Sequence, residues 1–202
     1  MKQMSFLVDV NLCLGCRSCQ MACAANRGLA RGVFWRKVNS IEYVNQGKII
    51  KYYLTSACYQ CENPECIRLC PQKAYRKRQD GIVILDSAKC NGCGICIHAC
   101  PFEAPVRDPE TGLTGKCDYC YTLLDRGLNP YCIDACPVQA LHLLEKINGE
   151  ETTDSTIVKI LPGVPKIQLT RPSVRYRRLN MGRQIMRFPL PRRKEGFGGG
   201  GL

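Results

Sequence analysis

The chain has 202 residues, enough for one domain or a small pair, and its 45% hydrophobic and 23% charged residues exclude wholesale disorder. The formal net charge of +12 is concentrated: eleven of the 29 Lys and Arg lie between Ser155 and Lys194, where there is no Asp or Glu, leaving 18 basic against 16 acidic residues in Met1 to Asp154. The longest stretch free of Asp, Glu, Lys and Arg is thirteen residues, Cys90 to Phe102, short of the roughly 18 to 20 that a bilayer span requires, so no direct membrane span is expected.

The residues Met1 to Val10, with Lys2 and Asp9, lack the apolar core of a signal peptide, so the chain is not expected to direct its own export. Cysteine is the compositional outlier, and the sixteen cysteines fall into four groups of four. Cys13, Cys16, Cys19 and Cys23 run C-x2-C-x2-C-x3-C. After them, Val38 to Val44 and Lys48 to Leu54 flank Asn45-Gln46-Gly47, predicting an inserted hairpin within 33–56. Cys58, Cys61, Cys66 and Cys70 follow as C-x2-C-x4-C-x3-C. Ala74 to Arg78 and Ile82 to Leu85, about Asp80-Gly81, predict a second hairpin. Cys90, Cys93, Cys96 and Cys100 repeat the first spacing, and Ala104 to Arg107 with Leu113 to Lys116 predict a third hairpin. The last group, Cys117, Cys120, Cys132 and Cys136, runs C-x2-C-x11-C-x3-C.

Three thiolates two residues apart wrap a tight loop around one cubane cluster, and Gly15, Gly92 and Gly94 supply backbone freedom inside such loops. Cys70, Cys100 and Cys136 are each followed by proline; Cys23 is not. The expectation is a short helical turn opening at the fourth cysteine, with helix confined to those turns. In two-cluster ferredoxins the fourth cysteine serves the other cluster. Disulfides fit poorly with closely spaced groups and no signal peptide. Zinc prefers two C-x2-C pairs across a longer loop, which only the fourth group approaches. Iron–sulfur chemistry is the remaining reading, with four [4Fe–4S] clusters.

His98 and His142 are read as packing or hydrogen-bonding residues, since the cysteines already complete the ligand count. Trp35 and the Tyr52-Tyr53 pair are read as core or interface aromatics, and Arg17 and Lys89 as charges that raise nearby cluster potentials. No phosphate-binding glycine loop and no nucleophile–base pair is present, so no catalytic residue is assigned. A nucleic-acid partner is not expected, because the basic stretch carries no recognisable binding fold.

The groups in this order, with the x4 gap of Cys61-Glu62-Asn63-Pro64-Glu65-Cys66 and the x11 gap between Cys120 and Cys132, resemble the iron–sulfur subunits of the dimethyl sulfoxide reductase family of molybdopterin oxidoreductases. The resemblance runs from Phe6 to Leu144 and more weakly to Pro172. It implies an α+β fold of tandem bacterial-ferredoxin-like units, with short hairpins and short helices around four cubane clusters in a line. It divides the chain into a four-cluster domain, 1–154, and a basic Pro/Gly-rich C-terminal strap or tail, 155–202. Spacing alone leaves the ligand pairing open. The resemblance implies one cluster on Cys13, Cys16, Cys19 and Cys136, and its neighbour on Cys117, Cys120, Cys132 and Cys23. The other pair would use Cys58, Cys61, Cys66 and Cys100, and Cys90, Cys93, Cys96 and Cys70.

The implied role is relaying single electrons between a catalytic subunit holding molybdenum or tungsten pterin and a redox partner, often an integral-membrane quinone-reactive anchor. The alternatives are the electron-transfer subunit of a formate dehydrogenase or hydrogenase-linked complex, and a free-standing polyferredoxin. Location stays open between the cytoplasm and export with a signal-bearing partner, with membrane association through a partner subunit. At a formal −2 per cluster the body would fall to about −6 against about +10 in the tail, so the two attract.

Overall fold

The computed structural model describes residues 3–146, 154–164, 166–167, 169–180 and 186–189. Their elements in chain order are β1 (Gln3–Val8), α1 (Ser18–Asn26), β2 (Lys37–Asn45), β3 (Lys48–Ser56), α2 (Glu65–Arg68), β4 (Tyr75–Lys77), β5 (Val83–Leu85), α3 (Ile95–Ala99), β6 (Val106–Arg107) and β7 (Thr114–Gly115). After these come α4 (Tyr121–Leu124), α5 (Tyr131–Asp134), β8 (Leu141–Lys146), β9 (Ile157–Val158), β10 (Arg175–Arg177) and β11 (Met186–Pro189).

Each of the three predicted hairpins forms. In the longest, Asn45 pairs with Lys48, so the turn is only Gln46-Gly47, both at positive φ (47° and 72°). Two central residues of that kind match the right-handed twist of the flanking strands. β4 pairs with β5 and β6 with β7, each pair antiparallel. Between the members of each pair, Gly81 (φ 80°) and Gly112 (φ 70°) sit where a side chain would be strained.

In the second, third and fourth groups the helix stands before the fourth cysteine and not after it, which corrects the expectation from sequence. α2 precedes Cys70, α3 precedes Cys100 and α5 precedes Cys136. Each of these cysteines then opens a single turn, closed by Lys73 N–H to the Cys70 carbonyl, Glu103 to Cys100 and Gln139 to Cys136, all at 3.1 Å. Proline takes the second position of that turn, where its fixed φ suits and its missing N–H is not needed. Lys73, Glu103 and Gln139 then adopt φ of 47°, 51° and 49°, redirecting the chain. Cys23 has no proline after it, and α1 accordingly runs through it to Asn26.

β1 organises the core. Five of its six residues are buried, because it lies between two strands: β8 antiparallel, from Gln3↔Lys146 to Val8↔Leu141, and β10 parallel, at Leu7↔Arg175 and Val8↔Tyr176. β9 completes the order β8-β1-β10-β9. The stretch read from sequence as a strap from residue 155 therefore supplies two strands of this sheet. Leu161, Thr170, Ser173, Val174 and Tyr176 within it are buried. The backbone of β11 extends the β2–β3 hairpin to three strands. Residues 190–202, with the terminal glycines, lie outside the described residues.

The apolar core is interleaved with sulfur. Phe6, Val8, Tyr52, Leu54, Ile82, Tyr119, Leu141 and Tyr176 pack with Cys19, Cys58, Cys117 and Cys132, and a second cluster gathers Tyr75, Val83 and Cys96. Burying a side chain such as Phe6 (1% exposed) is worth about 1.5–3 kcal/mol. Trp35 covers Gly115, and Tyr52 donates to the Pro162 carbonyl at 2.6 Å. Tyr53 lies against Gly15, whose added Cβ would stand 2.7 Å from the ring.

Candidate metal centre

Each group is built the same way. Its first cysteines sit on a loop, and its third and fourth are four residues apart across a short helical turn, as Cys19 and Cys23 are on α1. One turn of helix sets these two thiols on one side but displaced along the axis. They therefore face different quartets. Loop side chains hold the spacing: Asn91 accepts from Cys93 N–H at 3.2 Å and Asp118 from Cys120 N–H at 2.9 Å.

The thiols come together across groups. Cys13 faces Cys16, Cys19 and Cys136. Cys23 faces Cys132 and Cys120, and Cys117 faces Cys23 and Cys132. Cys58, Cys61, Cys66 and Cys100 line one small cavity. Cys70, Cys90, Cys93 and Cys96 line another. Neighbouring quartets abut in sequence: Cys19 approaches Cys132, and Cys117 approaches Cys58. The Tyr75 hydroxyl, otherwise without a hydrogen-bond partner, faces Cys96 with Cys66 and Cys58 beyond. The four quartets thus lie in a row. Cys117, Cys120, Cys132 and Cys58 in its middle are buried, whereas Cys16 and Cys93 at its ends are exposed.

The donor set suits a cluster of several irons. Among the described residues no three His, Cys, Asp or Glu side chains converge on the point that a single ion would occupy; the thiols ring a space instead. Peptide N–H groups aim at the sulfurs, Ala74 to Cys70 (3.4 Å), Gly92 to Cys90 (3.4 Å), Tyr119 to Cys117 (3.5 Å) and Ala140 to Cys136 (3.2 Å). Burial, with repulsion from Cys132, pushes the Cys23 thiol up to about 12. Burial and the Cys58 thiol do the same to Cys61 and Cys66, both to about 12. Iron held by these cysteines would offset the cost of bringing thiolates so close.

The two charges read from sequence as near the clusters adjoin Cys16 and Cys90 in the chain. Arg17 is exposed at the start of α1, and Lys89 is exposed beside Asp86. Three cations are buried among the described residues, Arg36 (1% exposed), Lys116 (3%) and Arg175 (8%); the first two, which lie near the thiols, were missed in the sequence. Lys116 donates to the Val83 and Cys117 carbonyls and faces Cys66 and Cys100. Its place immediately before Cys117 was a usable signal; Arg36, thirteen residues beyond Cys23, offered none. Gln60, fully buried, was also missed: it accepts from Val83 N–H at 2.8 Å and donates to the Cys117 carbonyl at 3.0 Å. His98 and His142 are both exposed.

A ferredoxin-type chain with thiol quartets in a row is built as an iron–sulfur electron carrier. Residues 49–146 match the family model described as a 4Fe-4S dicluster domain. The chain is similar to a probable anaerobic dimethyl sulfoxide reductase chain of Escherichia coli, 32% identical over 185 residues, covering 85% of this chain and 87% of that one. It is 35% identical over 185 residues to the B-chain of the anaerobic dimethyl sulfoxide reductase of Haemophilus influenzae (86% and 88% covered). It is also 34% identical over 170 residues to the B-chain of the polysulfide reductase of Wolinella succinogenes (83% and 87% covered). The chain belongs to the iron–sulfur subunits of the molybdopterin oxidoreductases of the dimethyl sulfoxide reductase family. Its function is electron transfer through 4Fe–4S clusters.

Proposed function

We propose that this chain is a non-catalytic subunit that passes single electrons through four [4Fe–4S] clusters. The route joins a molybdopterin catalytic subunit, holding molybdenum or tungsten, to a membrane quinone-reactive anchor subunit or other redox partner. In this reading Cys13, Cys16, Cys19 and Cys136 hold the first cluster, and Cys117, Cys120, Cys132 and Cys23 the second. Cys58, Cys61, Cys66 and Cys100 hold the third, and Cys90, Cys93, Cys96 and Cys70 the fourth. The observation that carries the reading is the exchange of fourth cysteines, as where Cys100 shares a cavity with Cys58, Cys61 and Cys66. That exchange is the way two-cluster ferredoxins are ligated.

When bound, each cluster supplies one-electron redox chemistry. The protein's own groups do the rest. Thiolates fix the centres, and peptide N–H groups of Ala74, Gly92, Tyr119 and Ala140 donate to sulfur. Phe6, Val83 and Tyr119 exclude water from the middle of the row. The exposed Cys16 and Cys93 give partners access at either end. The names of the relatives, chains of sulfoxide and polysulfide reductases, support a catalytic partner. No helix among the described residues is long and apolar enough to cross a membrane, so membrane association runs through a partner subunit. The basic stretch from Ser155 onward, which holds eleven Lys and Arg and no Asp or Glu up to Lys194, would serve as the strap over this subunit's body and its catalytic partner.

The test is elemental analysis of the native complex, isolated anaerobically through this chain. Roughly sixteen iron and sixteen sulfide per chain, beyond any partner clusters, with about one molybdenum or tungsten, is the expected result. Iron without molybdenum or tungsten would favour a free polyferredoxin, and zinc without sulfide would overturn the reading.

A further inference from the structure

We propose that Arg36 is a positioning residue that raises the reduction potentials of the first and second clusters, as a fixed buried cation between them and as the orienter of a hydrogen bond from Thr55 to Cys19. This rests on the cluster assignment above. Arg36 is 1% exposed and is the bulkiest fully buried side chain among the described residues. Its guanidinium carbon lies 4.4 Å from the Phe6 ring centroid. No carboxylate partners it among the described residues, and Nη2 has no hydrogen-bond partner. A buried cation left so is strongly disfavoured unless an anion stands nearby. Thiols occupy that place: Cys132, Cys117 and Cys23 from the second quartet and Cys19 from the first.

The hydrogen-bond direction follows from the chemistry of the groups. A guanidinium only donates, so Nη1 gives its hydrogen to Thr55 Oγ1 at 3.1 Å. The single hydroxyl hydrogen of Thr55 is then free for Cys19 Sγ, 3.4 Å away. Charge and hydrogen bonds to sulfur are among the levers that set cluster potentials. Each reduction adds one electron, supplied by one redox partner and passed on toward the other. Arg36 takes up no proton, because its guanidinium stays charged. The added negative charge is therefore stabilised by a cation already in position. The other buried cations lack this relation: Lys116 is bonded to the Val83 and Cys117 carbonyls, and Arg175 to those of Pro172, Ser173 and Val174; the half-buried Arg27 is paired with Asp118.

The complex is isolated anaerobically as wild type, Arg36→Gln, Arg36→Lys and Thr55→Val. Iron is counted, and each reduction step is followed by electron paramagnetic resonance in a redox titration. With iron retained, Arg36→Gln makes two of the steps at least tenfold less favourable, about 59 mV each for one electron, and leaves the others within threefold. Arg36→Lys, which keeps the charge, shifts less. Thr55→Val lowers one step by threefold or more. Arg36→Gln with full iron and every step within threefold of wild type would overturn the proposal. Should that variant fail to load iron, Thr55→Val decides, and an unmoved titration there overturns it. A wild-type complex without iron would instead overturn the cluster assignment itself, a separate outcome.

Discussion

Thiols that are chemically identical in the chain become unequal in the fold. Cys16 is exposed, and its hydrogen bond to Ser18 Oγ at 3.4 Å lowers its pKa below the ordinary value of 9.0. Cys23, Cys61 and Cys66 stand at about 12 through burial. Since the thiolate is the reactive form, iodoacetamide at pH 8 should label Cys16 first and these three last in iron-stripped protein. Peptide mass spectrometry against time reads that order, and equal labelling rates would contradict it. Gln60 offers a second test, because its side chain ties the second cysteine loop to β5 and to Cys117. Gln60→Ala leaves the Val83 N–H without a partner and removes a bond to the Cys117 carbonyl, a loss of about 2–4 kcal/mol. Thermal melting of the loaded complex should show a correspondingly lower midpoint, with iron content unchanged.

Loop glycines differ in what surrounds them. A Cβ at Gly92 would lie 2.5 Å from the Gly112 carbonyl oxygen at φ 71°, whereas at Gly47 (φ 72°) nothing lies within 4 Å. Both substitutions incur the left-handed backbone penalty of about 1–2 kcal/mol, but only the first meets rigid backbone. Gly92→Ala is expected to lose roughly four iron per chain, the content of one cubane, while Gly47→Ala keeps all of it. Iron assay of the two purified variants separates these outcomes. In the helical turns, spacing does the equivalent work. An x3 gap before the fourth cysteine is one turn of helix, which delivers the third thiol to one quartet and the fourth to the next. The proline after it marks the end of that turn, which is why reading it as a helix start misplaced the helices.

Sparse secondary structure and a core interleaved with cysteine make the whole assembly depend on its metal. The sign of its pH response follows. A thiol whose folded pKa exceeds the unfolded 9.0 favours the fold below pH 9, and that contribution is lost as pH rises through about 12. Iron-stripped protein should therefore lose stability between pH 8 and pH 11, while the loaded complex, whose thiolates are already deprotonated, shows no such thiol-linked loss. Melting curves at both pH values check this. The sheet β8-β1-β10-β9 also fixes where the chain tolerates truncation. Ending it after Asp154 removes β10 and the buried Tyr176 and Val174, so insoluble or iron-poor protein is expected. Ending it after Pro189 keeps every described element, and the proposed loss is of partner binding alone, read by co-purification.

Cysteine spacing and turn residues encode local geometry, so the four groups, the three hairpins and the iron–sulfur chemistry were legible directly. Asp80-Gly81 and Gln46-Gly47 reverse the chain wherever they occur, and C-x2-C-x2-C wraps a cluster whatever lies around it. The surroundings of each cluster were not legible. The pairing of residues 3–8 with both 141–146 and 175–177 joins segments far apart in sequence, and no local pattern specifies such partners. The same distance hid Arg36: in the chain it is one cation in a Trp-Arg-Lys run, and only folding buries it between Phe6, Thr55 and thiols drawn from two groups. Sequence therefore set the chemistry of the ligands, and tertiary structure alone decided the electrostatic surroundings, because burial and long-range charge arise only when distant segments meet.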